Sequence, residues 1–205
     1  EIYTLSLHDA LPISKRLLIY PSSHDSLAAA DSVHSAGGQV FLDLQHDIDS
    51  LDDLGELVGL CDVVFASGLE LLAATKKSTE KEAVGVLLAM GAQTVVVKHG
   101  IGGSTIWSVD GCPTNVPAYL SNFKCTIGAG DVYNAIFALH YAEGVDALAA
   151  GKLASVASSV FIEHPNFPDW VELLAKTTLL EETSRRTRVI GPPECLRTVK
   201  IYLAS

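Results

Sequence analysis

Short, uninterrupted apolar runs restrict the fold of this chain more than any other feature. Val40-Phe41-Leu42 and Val95-Val96-Val97 carry no polar residue at alternate positions. Strands built from such runs need cover on both faces, which is the condition of a parallel sheet. Leu17-Leu18-Ile19-Tyr20 reads the same way, and Cys61 to Phe65 is a further strand candidate. Helical stretches separate them: one opens at Ser26 and stops at Gly37-Gly38, where glycine suits the left-handed cap. Others run from Leu51 to Val58, from Leu69, and from Thr79 to Met90. Strand–helix repeats of this length predict a doubly wound α/β sheet. After Gly100 the rhythm changes. Ser104 to Val109 and Pro113 to Tyr119 read as consecutive strands joined at Asp110-Gly111, a hairpin-type turn. Helices follow over Asp131–Glu143, Asp146–Phe161 and Pro168–Lys176, the last with proline in its first turn.

The chain has 205 residues, 48% of them hydrophobic, which suits one core and one domain. A formal charge of -10 argues against nucleic acid or an anionic membrane as partner, so an anionic substrate must be met by local amides, a lysine or a metal ion. Cys61, Cys112, Cys125 and Cys195 form no Cys-x-x-Cys pair and no zinc spacing with histidine. They read as reduced, mostly buried thiols of a cytosolic protein. No apolar run reaches the roughly 18 residues of a membrane span, and no basic-then-apolar secretory signal opens the chain.

The two ends differ from the middle. Residues 1–13 read as the translated frame of a common short-read sequencing adapter, an artefact to be left out of the fold, with a natural amphipathic lead-in as the alternative. On the adapter reading the natural chain upstream of Ser14 is missing. Arginine occurs only at Arg16 until Arg185, Arg186, Arg188 and Arg197 crowd together near Pro192-Pro193. Residues 177–205 are expected to be a solvated tail, with a basic patch as the alternative.

Two glycine-rich segments bear on chemistry. Lys98-His99-Gly100-Ile101-Gly102-Gly103 runs into strand sequence, so it is neither a dinucleotide loop opening a helix nor a Walker loop. Alone it reads equally as a tight turn or as a nucleotide contact. Gly128-Ala129-Gly130 is more informative because it precedes a helix beginning near Asp131. Small residues leave backbone amides open to a ligand, and a helix N-terminus favours anions. Asp131 could be only a helix cap. It could also accept a hydroxyl proton while the turn stabilises charge on a transferring phosphoryl group.

Thr126-Ile127-Gly128-Ala129-Gly130-Asp131-Val132-Tyr133 closely resembles the second signature of the ribokinase-like (PfkB) carbohydrate kinases. The likeness extends over about residues 17 to 176, in the element order of the family's C-terminal part. It implies a three-layer, doubly wound, mostly parallel sheet in residues 14–176, truncated at the N-terminus and without the family's β-lid. Asp131 would be the catalytic base, and Gly128, Ala129 and Gly130 the anion hole. Lys98, Gly100, Gly102 and Gly103 would form the nucleotide-binding loop, although Lys98 could also be a lysine snorkelling at a strand end. Ser67-Gly68-Leu69-Glu70 falls on the family's Asn-x-x-Glu element: Glu70 would act on magnesium through water, and Ser67 replaces the asparagine of the cofactor site. The alternative for Glu70 is an exposed acid in a first helical turn. Asp43 is what remains of an Asp-x-Asn-x-Arg element, and Cys125 replaces an aspartate tied to a monovalent-cation site. A packing role for Cys125 is favoured over a nucleophile.

The resemblance thus implies ATP-dependent, magnesium-assisted phosphoryl transfer to a hydroxyl of a sugar or related small molecule in the cytoplasm, with a homodimer allowed for the full-length protein. Because the early strands, sugar contacts and lid would lie upstream, the chain as given is expected to be a poor catalyst. The second reading is a non-catalytic nucleotide- or ligand-binding protein on the same fold. A NAD-type dehydrogenase is disfavoured, since neither segment has Gly-x-Gly-x-x-Gly followed by a helix.

Overall fold

β-branched and aromatic strands lie side by side in the computed structural model, which describes residues 15–20, 25–45, 54–109, 111–122, 124–164 and 176–189. β1 (Arg16–Ile19), β2 (Gln39–Asp43), β3 (Val63–Ser67) and β4 (Thr94–Lys98) are parallel neighbours. β5 (Ser104–Ser108) and β6 (Thr114–Val116) continue the sheet antiparallel. The six strands follow chain order across a single mixed sheet.

Side chains alternate between two cores, as the period of a strand requires. Val40, Leu42, Val64, Ala66, Val95 and Val97 enter one cluster. There they meet α1 (Asp25–Ser35), α2 (Gly55–Gly59), α3 (Gly68–Thr75) and α4 (Glu80–Ala89). These four helices join parallel strands laid down in one direction, and crossovers of one hand then place them on one face. Phe41, Val63, Phe65 and Val96 point the other way, against α5 (Ala129–Ala142), α6 (Ala147–Glu163) and Leu179 of α7 (Lys176–Arg185). The fold is therefore the expected three-layer α/β arrangement with a mostly parallel sheet.

Local chemistry sets the helix ends. Thr79 accepts from the Glu82 amide at 3.3 Å to open α4, and Asp146 accepts from the Ala149 amide at 3.0 Å to open α6. Gly37 closes the first helical segment with φ +73°, as expected.

Three sequence expectations differ from the structure. The strand expected over Pro113–Tyr119 is limited to Thr114–Val116. Pro117 has no N–H to extend the ladder, and Tyr119 instead bridges antiparallel to Arg188. The described part of the expected solvated tail is only partly solvated, with Leu180 and Arg185 exposed. Leu179 is fully buried, and Arg186 pairs with Glu163 at 2.7 Å. A single buried leucine and an ion pair leave too sparse a pattern for a period to reveal. Nor are the thiols mostly buried: Cys61 is, Cys112 is exposed and Cys125 is half-buried. Residues 1–14, the helix expected over 168–175, Cys195 and Arg197 lie outside the described residues. Among the described residues, no helix is long and apolar enough to cross a membrane.

Phe137 holds the second core together. It packs edge-on to Phe65 at 5.3 Å and stacks on Tyr141 at 5.6 Å and on Tyr133 at 6.3 Å, with no solvent exposure. Phe137→Ala should lower unfolding free energy by about 3–5 kcal/mol, measured by urea denaturation. A loss within the range of a surface substitution would mean that the aromatic cluster does not support α5.

Candidate active site

The strands β2, β3 and β4 end on polar residues at one edge of the sheet: Asp43, Ser67 and Lys98. An open α/β sheet presents ligand sites beyond the carboxyl ends of its strands, where the buried runs stop. α5 begins over this edge.

The first turn of α5 is built differently from the sequence expectation. The helix starts at Ala129, and Gly128 is the N-cap with φ +84°, a conformation that favours glycine. Asp131 therefore sits inside the first turn and not at the cap position. The Ala129 amide donates to Thr126 O at 3.2 Å and that of Val132 to Gly128 O at 3.0 Å. Of the four amides that a helix start leaves over, those of Gly128, Gly130 and Asp131 have no acceptor among the described residues. Two of the three residues of the Gly128-Ala129-Gly130 turn thus keep an open amide, as does Asp131. Ser158 of α6 fixes the turn from behind, its hydroxyl donating to Ala129 O at 2.9 Å.

Lys98 lies across this turn. Its Nζ donates to Asp43 Oδ1 at 3.1 Å and to Asn134 Oδ1 at 3.2 Å. A Cβ on Gly130 would stand 3.6 Å from that ammonium. Burial pushes the Asp43 carboxyl above the usual carboxylate range. The Lys98 charge and hydrogen bond oppose the rise, the negative charge of Glu70 adds to it, and Asn134 opposes it. The Asn134 side-chain nitrogen is buried with no hydrogen bond of good geometry, yet it lies close enough to Asp43 to favour the carboxylate. Asp131 faces Tyr20, whose hydroxyl donates to its Oδ1 at 3.4 Å. Burial, followed by the charges of Asp131 and Asp43, pushes the Tyr20 phenol up to about 12.

Beside the turn opens a cavity of about 520 Å³, within the range of small-molecule sites. Lys98, Gly100, Gly103, Ala129 and Gly130 line one side. Tyr119, Leu120, Ser155, Ile162 and Val189 are among the residues of the other. Gly100–Gly102 is a single 3-10 turn, and Gly103 follows with φ +81°. A Cβ at Gly103 would fall 2.0 Å from Val116 O, so only glycine lets the chain pass β6.

The structure thus brings Lys98, Gly100, Gly103, Ala129 and Gly130 to one cavity, with Asp131 next in the chain. Gly102 and Gly128 shape the two turns without lining it. Ser67 and Glu70 form a reciprocal capping box: Ser67 N donates to Glu70 Oε2 at 2.6 Å, and Glu70 N to Ser67 Oγ at 3.3 Å. Among the described residues no three His, Cys, Asp or Glu side chains gather to hold a metal. Magnesium does not need such a cage, since it keeps several waters and takes one or two carboxylates with phosphate. Glu70, close enough for its charge to act on Asp43, fits that limited part.

Tyr20, Asn134, Ser158 and the wall from Tyr119 to Val189 were not foreseen from sequence. Asn134 had a signal, because it lies three residues after Asp131 and so shares its helix face. The others come from distant segments and had none.

A family model described as "pfkB family carbohydrate kinase" matches residues 4–168. A 5-dehydro-2-deoxygluconokinase of Shouchella clausii is 24% identical over 171 residues, covering 79% of this chain and 52% of its own length. The chain therefore spans about half the length of this relative. Arabidopsis thaliana ribokinase, solved with ribose and ATP, superposes with a TM-score of 0.70 at 24% identity, covering 83% of this chain and 56% of that one. An Escherichia coli protein assigned as ribokinase II, solved with ATP and magnesium, gives 0.68 at 22% identity, covering 83% and 57%. At these identities the structural likeness establishes the fold.

The Lys98–Asp43 pair is mostly buried, with side-chain exposures of 17% and 7%. Lys98→Met would leave Asp43 charged and unpaired near Glu70, at a cost of about 3–5 kcal/mol at pH 7. A carboxyl whose folded pKa is raised gains stability as pH falls toward its unfolded value. The deficit of the variant should therefore shrink in urea titrations between pH 7 and pH 5. A deficit independent of pH would show that the pair does not govern Asp43.

Proposed function

We propose that this chain, which belongs to the pfkB family of carbohydrate kinases, contributes the nucleotide side and the catalytic base of a site that transfers the γ-phosphoryl group of ATP to a hydroxyl of a sugar or related small molecule. The observation that carries this reading is Asp131, placed inside the first turn of α5 opposite Tyr20 and beside open amides and the cavity. An acid in a first helical turn also stabilises the helix through its dipole, so it is the neighbouring open amides and cavity that support a role in the reaction.

In the proposed reaction the acceptor hydroxyl approaches Asp131 from the side of Tyr20. Asp131 takes the hydroxyl proton on a carboxylate oxygen as the oxygen attacks phosphorus, and ADP leaves. The first-turn amides, in the Gly128-Ala129-Gly130-Asp131 segment, donate to the oxygens of the transferring group. Lys98, held over Gly130, offsets the same charge. The Gly100–Gly103 turn, with Gly102 inside it, and the wall opposite would hold the rest of the nucleotide. Magnesium, when bound, would neutralise phosphate charge, with Glu70 holding it through water and Ser67 keeping Glu70 in place.

The capping box supports a second reading. Ser67 and Glu70 already satisfy one another, which a non-catalytic nucleotide-binding protein on this fold would also require. Turnover separates the two. ATP-dependent phosphorylation by the full-length protein should be assayed on an acceptor panel that includes 5-dehydro-2-deoxygluconate and ribose, suggested by the relatives. Asp131→Asn should lower kcat by about 10²–10⁴-fold with an unchanged unfolding midpoint. ATP binding without turnover on any acceptor would favour the binding protein, and near-normal turnover of the variant would remove Asp131 from its role.

A further inference from the structure

One wall of the cavity is formed by a segment that arrives from the far end of the chain. Residues 187–189 run antiparallel beside 118–120. The Leu120 amide donates to Thr187 O and that of Val189 to Ala118 O, each at 2.9 Å, with Tyr119 and Arg188 paired between them. Tyr119, Leu120 and Val189 all face the cavity. The position of this short ladder therefore sets the width of the cavity on that side.

Ser155 and Ser159 of α6 hold the 117–119 side of the ladder, donating to Pro117 O at 2.7 Å and Tyr119 O at 3.3 Å, and an ion pair fastens the 187–189 side to the helical layer. Arg186 approaches Glu163, the last residue of α6, with two nitrogens: Nη1 to Oε1 at 3.1 Å and Nη2 to Oε2 at 2.7 Å. Its Nε donates to Glu182 Oε2 of α7 at 2.9 Å. Glu163 Oε1 also accepts from the Asn122 amide at 3.0 Å, at the other end of the cavity wall. One carboxylate thus joins α6, the 118–122 wall and the segment after α7. The forked geometry is directional as well as strong. Both side chains are mostly buried, at 13% and 18% exposure. The Arg186 hydrogen bonds hold the Glu163 carboxyl below its usual range, so the pair stays charged at neutral pH.

We infer that the Arg186–Glu163 pair is a latch that positions the Leu120–Val189 wall and thereby sets nucleotide affinity, without taking part in phosphoryl transfer. This rests on the kinase reading above. Neither side chain lines the cavity, so each acts through the ladder as a positioning residue. A latch of this kind changes binding of the nucleotide and leaves chemistry at Asp131 intact. A purely structural pair would change stability and leave affinity alone.

The test is calorimetric titration of ATP into the chain, wild type and Arg186→Ala, with nucleotide-free unfolding midpoints measured in parallel. The ATP Kd should rise about tenfold in the variant, a change of about 1.4 kcal/mol. In the active protein KM for ATP should rise by a similar factor, while kcat at saturating ATP stays within about twofold. Arg186→Lys, which keeps the charge and loses the fork, should fall between. Should Arg186→Ala fail to fold, Glu163→Gln, which keeps the oxygen for Asn122 and removes the charge of the pair, should weaken ATP binding in the same way. Wild-type Kd in the folded variants would overturn the latch and leave the kinase reading standing, as would a loss confined to kcat. Absence of ATP binding by the wild-type chain would overturn both.

Discussion

Lys98 reaches back across the sheet edge to Asp43 and upward to Asn134, and the site is arranged around that contact. The pair ties the ends of β2 and β4 to α5, whose first turn carries Asp131. A charge buried at a strand end has to be matched or it will not stay. Matching it with a lysine brings a positive group to the base of the turn, over Gly130. One interaction thus satisfies the sheet and gives the cavity its positive charge. A chain with formal charge -10 gathers that charge locally, where an anion would be met.

Around this contact the small residues have separate tasks. Gly128 supplies the left-handed cap that lets α5 start early. Gly130 leaves room beside Lys98, and Gly103 lets the loop pass β6 without collision. Gly151 brings α6 against Val116 and Tyr133, where an added Cβ would come within 2.8 Å of Val116. Behind the turn, Tyr133 and Ser104 share a buried hydrogen bond of 2.6 Å that links α5 to β5. The first turn of α5 is thus braced by α6 through Ser158, by β5 through Tyr133 and by β4 through Lys98. Such bracing holds the amides of the turn in a fixed geometry.

The sheet, the two glycine-rich turns and the placement of Asp131 at the start of a helix were legible because each is local. A fully apolar run needs cover on both faces wherever it lies, and a glycine pair before a helix shapes a turn whatever surrounds it. The wall made by residues 118–120 and 187–189 was not legible. It depends on pairing between segments far apart in the chain, and Arg186 carries no mark in sequence that names Glu163 as its partner. The arginine cluster read as solvated because its periodicity was weak, yet one arginine of the group is the anchor.

The sequence alone determined which residues must be buried, where the strands end, and that a small-residue turn with an acid opens α5. Those outcomes follow from side-chain volume, polarity and backbone freedom, properties that each residue carries with it. Only the tertiary structure decided that Asp131 faces Tyr20 and that Lys98 is held by Asp43 and Asn134. It also decided that the end of the described chain closes the cavity. These are pairings between groups, and their energy exists only once the fold has brought both partners out of water to the same place.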